Sequence, residues 1–312
     1  MTYTAFAPDG TAYPLPAPQS VELNLSEEAP ADDFLGVFPL ENSLPELDRL
    51  ELWSGRELVF EGWIDEQTEE IGPAGLSLCL AARSRVALLL DNEARPQNYR
   101  MPSLKLLFER HLQPYGFTGY LGDDAPFSAA LRVEKGMSEW EVLELFCRDY
   151  LHVVPRFTAE GVCDARGFVP GDELLFSNAG GLPCAFLTRS IRRCDPISEI
   201  LLRPKDSADY SVRVADDGLL AAGIRRRRYL NADGEDETPA VTAQRRITTS
   251  RRDYLTYRLL SPGPLCALPG QAARVDFPVL GRIGGLVVSD IEYRLGPDGE
   301  GSRLLLRPAG TP

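Results

Sequence analysis

The stretch opening at Arg49 and the stretch opening at Arg274 carry the same signals in the same order. The first runs Arg49-Leu-Glu-Leu-Trp53, Gly62-Trp-Ile-Asp65, Ile71-Gly-Pro73 and Leu76-Ser-Leu-Cys-Leu80. The second runs Arg274-Val-Asp-Phe277, Leu286-Val-Val-Ser-Asp290, Leu295-Gly-Pro297 and Leu304-Leu-Leu306. From the opening Arg to the Gly of Gly-Pro is 23 residues in one copy and 22 in the other. The echo predicts one β unit used twice. The bland alternative is that two acidic hairpins with Gly-Pro turns look alike through turn chemistry alone. A chain with two similar units can build a ring holding twice as many similar positions as subunits.

The first region reads as β. Leu58, Phe60, Gly62 and Ile64 alternate with Val59, Glu61, Trp63 and Asp65, so one face is mostly apolar. Ser54-Gly55 and Gly72-Pro73-Ala74-Gly75 are turn signals on either side, and Leu76, Leu78 and Leu80 continue the apolar face. Ser20–Leu25 alternates as another strand, and the Pro-rich residues 1–19 lie extended. The middle region changes period. Ser103 caps a helix with Leu104, Leu107, Phe108, His111 and Leu112 on one face and Gly116 past its end. Ser138 with Glu141 forms a capping box for a second helix carrying Trp140, Leu143, Cys147, Tyr150 and Leu151. The third region returns to β at Glu199–Leu202, Tyr210–Val214, Arg274–Phe277, Leu286–Leu295 and Arg303–Arg307. Asn231–Thr238 reads as an acidic loop tip, and β-branched and aromatic residues argue against helix over Val241–Leu259.

Composition removes several function classes. At 312 residues the prior is two or three domains. A net charge of -13 argues against a generic nucleic-acid binder, which needs clustered cations to neutralise phosphate. Acids dominate the first half, whereas Arg189, Arg192, Arg193, Arg225–Arg228, Arg245, Arg246, Arg251 and Arg252 concentrate later. Such asymmetry suits head-to-tail contacts between copies, or simply a solvated basic face. No apolar run is long enough to span a bilayer and no signal-peptide pattern opens the chain, so synthesis and assembly in the cytoplasm are expected. Six scattered cysteines without CxxC spacing and only two histidines make a metal site unexpected, and the thiols read as buried and reduced.

Catalytic patterns are sparse. His111 lies on an apolar helix face and reads as a satisfied half-buried histidine, and His152 follows a helix where a cation suits the dipole. Ser54 lacks a GxSxG context, and no GK[ST] follows Gly180-Gly181 or Gly284-Gly285. Asp123-Asp124 and Asp216-Asp217 are candidate carboxylate pairs for glycoside hydrolysis, but their turn contexts favour Asp for local geometry. In a strand, the Arg225–Arg228 run would send two guanidinia to each face, which favours interface pairing over phosphate recognition. No enzyme activity and no cofactor are expected.

The order of these parts resembles the baseplate hub proteins of contractile phage tails, the late-control-D or tail-protein family of Mu-like and P2-like phages. Leu58–Asp65 is similar to the family's apolar-x-x-Gly-aromatic-Ile-Asp strand, and Leu78–Asn92 to its strand-to-helix step. Ser103–Gly116 and Gly136–Leu151 resemble its two capped helices, and Ile283–Leu306 its closing hairpin. The resemblance covers residues 20–160 and 185–308; this chain is shorter than many hubs and unusually Pro-rich at its start. It implies a mainly β fold, with two similar tube-like β-barrel domains at 1–93 and 184–312 flanking a small two-helix α/β domain at 94–183. It further implies a homotrimeric ring that joins a six-fold tail tube to a three-fold central spike. The partners would be the tube protein, the spike protein and other baseplate proteins, in the tail of a virion or tail-like particle, with DNA passing through unbound. Trp63 and Val288 are then expected at the ring interface. Glu61, Asp65, Glu66, Glu69, Glu70, Asp290 and Glu292 are expected to face the lumen. A tail-associated glycan hydrolase and a carbohydrate-binding β module, with Trp53, Trp63 and Tyr120 as its platform, are the alternatives.

Overall fold

Alternating side chains and short Gly-containing turns make the chain mainly β. The computed structural model describes residues 1–27, 29–167, 171–204, 208–231, 239–264 and 267–309. Six strands build the first repeat: β1 (Thr2–Phe6), β2 (Ser20–Ser26), β3 (Asp33–Leu40), β4 (Arg49–Ser54), β5 (Glu57–Gly72) and β6 (Gly75–Ser84). They lie side by side in the order β2-β3-β6-β5-β4-β1. The period of two is visible in β2, where Val21, Leu23 and Leu25 are buried between half-buried neighbours. Pro73 and Ala74 alone join β5 to β6, and Gly75 supports this tight turn at φ 107°, a conformation that suits glycine. Phe34, Phe38, Leu50, Leu52, Phe60, Leu78 and Leu80 fill the core at 2% exposure or less. The Pro-rich start contains β1, which pairs antiparallel with β4.

A helical insert follows β6. It contains α1 (Ala87–Asp91), α2 (Leu104–Leu107) and α3 (Glu139–Phe146). Both capped helices start where the sequence places them. The Ser103 hydroxyl accepts from the Leu106 N–H, and Ser138 with Glu141 closes a capping box. Each then widens into a π-helical turn, Phe108–Leu112 and Cys147–Leu151. Leu104, Leu107, Leu112, Val142, Leu143 and Phe146 form a separate core with no exposed surface.

The second repeat uses β7 (Leu174–Phe176), β8 (Phe186–Ile191), β12 (Leu255–Pro262), β13 (Ala272–Phe277), β14 (Gly281–Gly296) and β15 (Gly299–Pro308). Between β8 and β12 lies a small module of β9 (Glu199–Arg203), β10 (Val212–Ala215), α4 (Asp217–Ala221), β11 (Arg227–Asn231) and α5 (Pro239–Ser250). Its sheet runs β10-β9-β11. Helix α5 corrects the sequence reading over Val241–Ser250, whereas Leu255–Leu259 is strand and agrees with it. Ala243 and Ile247 lie one turn apart, are fully buried, and pack on Ile200 and Leu202, so tertiary packing outweighs the β-branched composition. Beyond Asn231, the expected acidic loop lies outside the described residues, as does Cys266.

The chain divides into two compact units. One comprises Met1–Pro170, Pro262–Gln271 and Asp290–Ser302; the other comprises Gly171–Ser261, Ala272–Ser289 and Arg303–Pro312. No helix among the described residues is long and apolar enough to cross a membrane.

Candidate functional site

The two repeats share one strand order: β2-β3-β6-β5-β4-β1 in the first and β8-β12-β15-β14-β13-β7 in the second. Their hairpins agree in length. Strands β5 and β14 each have 16 residues and β6 and β15 each have 10. Gly72 and Gly296, at the two turns, stand 224 positions apart. The backbone register extends the match. Leu40 pairs with Leu76 across β3 and β6, and just beyond β12 the Gly263 N–H donates to the Glu300 carbonyl 3.2 Å away. Buried positions agree as well: Leu78, Leu80 and Ala82 correspond to Ser302, Leu304 and Leu306, all at 2% exposure or less. The outermost strand differs, since β1 joins β4 antiparallel and β7 joins β13 parallel.

In the first repeat, β5 runs on past its partner β4, which meets it only along Glu57–Trp63. The overhanging arm Glu66–Ile71 pairs with β6 on one side. Gln67 and Glu69 stand opposite the buried Leu80 and Leu78 and are half-buried. The Gln67 carbonyl accepts from the Leu47 N–H at 2.8 Å. The Glu69 carboxylate accepts from the Ser43 hydroxyl at 2.6 Å and the Leu44 N–H at 2.8 Å, bonds that hold its pKa below the usual carboxylate value. Glu66 and Glu70, with Thr68 between them, are exposed on the other face. At the tip, Ile71 is 86% exposed.

The remaining acids of this arm have partners inside the protomer. Glu61 is only 7% exposed and takes an ion pair from Arg49 at 2.9 Å and another from Arg85. Arg85 also stacks 5.2 Å over the half-buried Trp63 ring. Asp65 is bonded by Arg83 at 2.7 Å, and the same guanidinium holds Asp91. Arg83 thereby lowers the Asp91 pKa.

In the second repeat, Val288 is fully buried in its own protomer. Counting back from the Gly-Pro turn, Trp63 corresponds to Val287, which is half-buried. The opening-Arg alignment is one residue out of step, and a one-residue slip exchanges the two faces of a strand. Register confirms the correspondence: Arg49 faces Trp63, and Ala272 faces Val287. Asp290 accepts from the Ser26 hydroxyl at 2.5 Å. Glu292 pairs with Arg294, which also reaches Glu22 at 3.4 Å. Both acids lie on the part of β14 that pairs antiparallel with β2.

Other residues singled out by sequence have structural work. His111 is 2% exposed; its Nδ1 meets the Glu139 carboxylate, and its Nε2 lies 2.9 Å from the Tyr99 hydroxyl. His152 sits at φ 56° after its helix, with Nδ1 3.2 Å from the Arg148 carbonyl. The Asp123 and Asp124 carboxylates accept from backbone N–H groups of Ala125 and Lys105. Asp216 caps α4 through the Leu219 N–H and binds Arg251. Arg227 and Arg213 share Glu199 and lower its pKa. Cys147, Cys163 and Cys184 are buried thiols, and burial pushes Cys147 up to about 12. Cys79 is half-buried, and Cys194 departs from the expected burial by being exposed.

A cavity of about 480 Å³ in the first unit is lined by Asp32, Arg85, Phe117, Trp140, Arg156 and Phe157, among others. Burial raises the Asp32 carboxyl to about 7, partly offset by a bond from the Ser26 N–H. Charge divides along the chain. Residues 1–170 contain 28 acids against 13 bases, a net of -15, while residues 171–312 contain 18 against 20, a net of +2.

No protein-family model and no curated protein matches the sequence. Solved structures do match it, end to end. A tail protein from Neisseria meningitidis superposes with a TM-score of 0.77 at 16% identity, over 99% of this chain and 97% of that one. The prophage MuSo2 tail protein from Shewanella oneidensis gives 0.75 at 14% identity, over 100% and 99%. An Escherichia coli component of the type VI secretion system, described as structurally similar to the T4 tail proteins gp27 and gp5, gives 0.60 at 10% identity, over 94% and 74%. The chain therefore has the fold found in phage tail and tail-like injection components.

Proposed function

We propose that this chain is a structural subunit of a phage tail or tail-like injection particle. Three copies form a baseplate hub ring that joins a six-fold tail tube to a three-fold central spike. The observation that carries this reading is the repeated strand order, with matching hairpin lengths, in a chain whose whole length follows the tail-protein fold. Two similar repeats per chain let three subunits present six similar positions, which is what a junction between six-fold and three-fold neighbours requires. The tube protein, the spike protein and other baseplate proteins are the partners in this reading.

The bore is proposed to be acidic. Three copies carry 39 negative formal charges in excess, three times the 13 of one chain. Glu70, exposed on the sheet face it shares with Glu66, is the strongest lumen candidate. Glu61 and Asp65 already have arginine partners in the protomer, and Asp290 and Glu292 lie along an internal strand pair. An acidic wall would repel DNA at close range and let it pass without adsorbing, with salt screening the effect beyond about 8–10 Å. Trp63 and Val287 are the proposed seam residues of the two repeats. In this reading the three sequence-level modules keep their expected limits at 93–94 and 183–184, and the ring works in the tail of a particle assembled in the bacterial cytoplasm.

Native mass spectrometry and electron microscopy of the purified chain, alone and with tube and spike proteins, test the proposal. A three-copy annulus engaging both partners is the expected result. A monomer that binds neither partner but retains a glycan column would replace it with the carbohydrate-binding reading.

A further inference from the structure

The internal symmetry leaves one strand edge taken and its counterpart open. In the first repeat, the outer edge of β2 is covered by Asp290–Leu295 of β14, in an antiparallel ladder from Asp290 opposite Ser26 to Leu295 opposite Val21. In the second repeat, β8 occupies the place of β2, and it ends the sheet with only β12 beside it among the described residues. The segment equivalent to Asp290–Leu295 is Glu66–Ile71, whose own outer edge has no strand partner among the described residues. Both open edges expose apolar side chains: Ile71 is 86% exposed, Phe186 64% and Ile191 50%. An unpaired strand edge is a template for another chain.

We infer that Glu66–Ile71 of one copy adds antiparallel to the β8 edge of a second copy, repeating the internal β14–β2 ladder between molecules. The inference rests on the hub reading and names the strands that close its ring. Register follows from the two repeats. Gly36 faces Val21 and Leu259 faces Leu187, and Gly36 and Leu259 are equivalent buried positions of β3 and β12. Leu187 thus stands where Val21 stands. Carrying the internal ladder across sets Ile71 opposite Leu187, Glu69 opposite Arg189, Thr68 opposite Ser190 and Glu66 opposite Arg192.

The pairing is chemically complementary. Four of its six pairs match, with apolar against apolar, hydroxyl against hydroxyl and two glutamates against two arginines, while Gln67 faces Ile191 and Glu70 faces Thr188. Arg192 has an internal partner in Asp195 at 2.7 Å, and Glu69 is held by Ser43 and Leu44, so these charges select register more than they add affinity.

Two measurements on the full-length chain test it. Thr68→Cys and Ser190→Cys together, under oxidised glutathione, should give covalent multimers on non-reducing gels. Both changes are made together with Cys79→Ser and Cys194→Ser, since Thr68 faces Cys79 across its own hairpin and Cys194 is exposed, and each single variant in that background should give none. Glu66→Arg and Arg192→Glu should each raise the half-assembly concentration by roughly tenfold or more, with the double variant recovering most of the loss. If wild type forms a three-copy ring but neither the cross-link nor the rescue appears, the pairing is wrong and the hub reading stands. If wild type stays a single copy alone and with its tube and spike partners, the hub reading falls and the pairing with it.

Discussion

Replacing Glu61 by Gln separates a lumen acid from an internal clamp. The carboxylate is 7% exposed and receives guanidinium bonds from Arg49 and Arg85. Gln keeps the size and one acceptor oxygen but removes the charge. Arg49 retains Glu51 at 2.7 Å, whereas Arg85 has no other carboxylate among the described residues. The loss falls mainly on Arg85, whose side chain is 15% exposed, so it is set by one largely buried charged bond. Hydrogen bonds to charged groups are worth about 1.5–3 kcal/mol, and removing one partner of a fully buried pair costs about 3–5 kcal/mol. With part of Arg85 reaching water, about 2 kcal/mol is expected, equivalent to a fall of roughly 4–8 °C in melting temperature for a unit of this size. Urea unfolding followed by circular dichroism gives the free energy, with Glu70→Gln as the exposed control at within about 0.5 kcal/mol of wild type. A Glu61→Gln protein as stable as that control would refute the clamp and return Glu61 to the candidate lumen acids.

Other substitutions probe the frame around it. Asp32 titrates near 7 when folded and near 3.8 when unfolded, so the folded state binds the extra proton between those values and loses stability as pH rises through that window. Asp32→Asn should remove this slope and stabilise the protein above pH 7 by up to about 4 kcal/mol, at about 1.4 kcal/mol for each pH unit between the two values, read from melts across pH. A Cβ on Gly62 would come within 2.5 Å of the Arg83 carbonyl and of the Phe60 ring, so Gly62→Ala should cost about 1–3 kcal/mol in denaturant unfolding. Ser138→Ala removes one side of the capping box and should cost about 1 kcal/mol by the same assay.

Local chemistry made much of this legible. The Gly-Pro turns located both hairpins, and the Ser caps located both insert helices, because these signals act within a few residues. The edge strand β8 was not recognised in Phe186-Leu-Thr-Arg-Ser-Ile191, where Arg189 stands opposite the buried Tyr257 and breaks the apolar alternation. Strand β3 was missed because Gly36 is flanked by Leu35 and Val37 instead of polar residues. Helix α5 needed Ile200 and Leu202 to bury its narrow stripe. The burial of Val288 could not be read from its hairpin signals, because turn length sets hairpin register and the opening Arg lies one residue out of step with the turn. The burial of Glu61 could not be read at all, since Arg49 approaches it from β4 and Arg85 from the turn just after β6.

Covalent linkage of the repeats has a thermodynamic consequence. The ladder between β14 and β2 forms within one polypeptide, so dilution does not act on it. Any assembly that uses both kinds of edge then has alternate seams of two sorts, one unimolecular and one governed by mass action. Subunit concentration would then act on only every second junction of such an assembly.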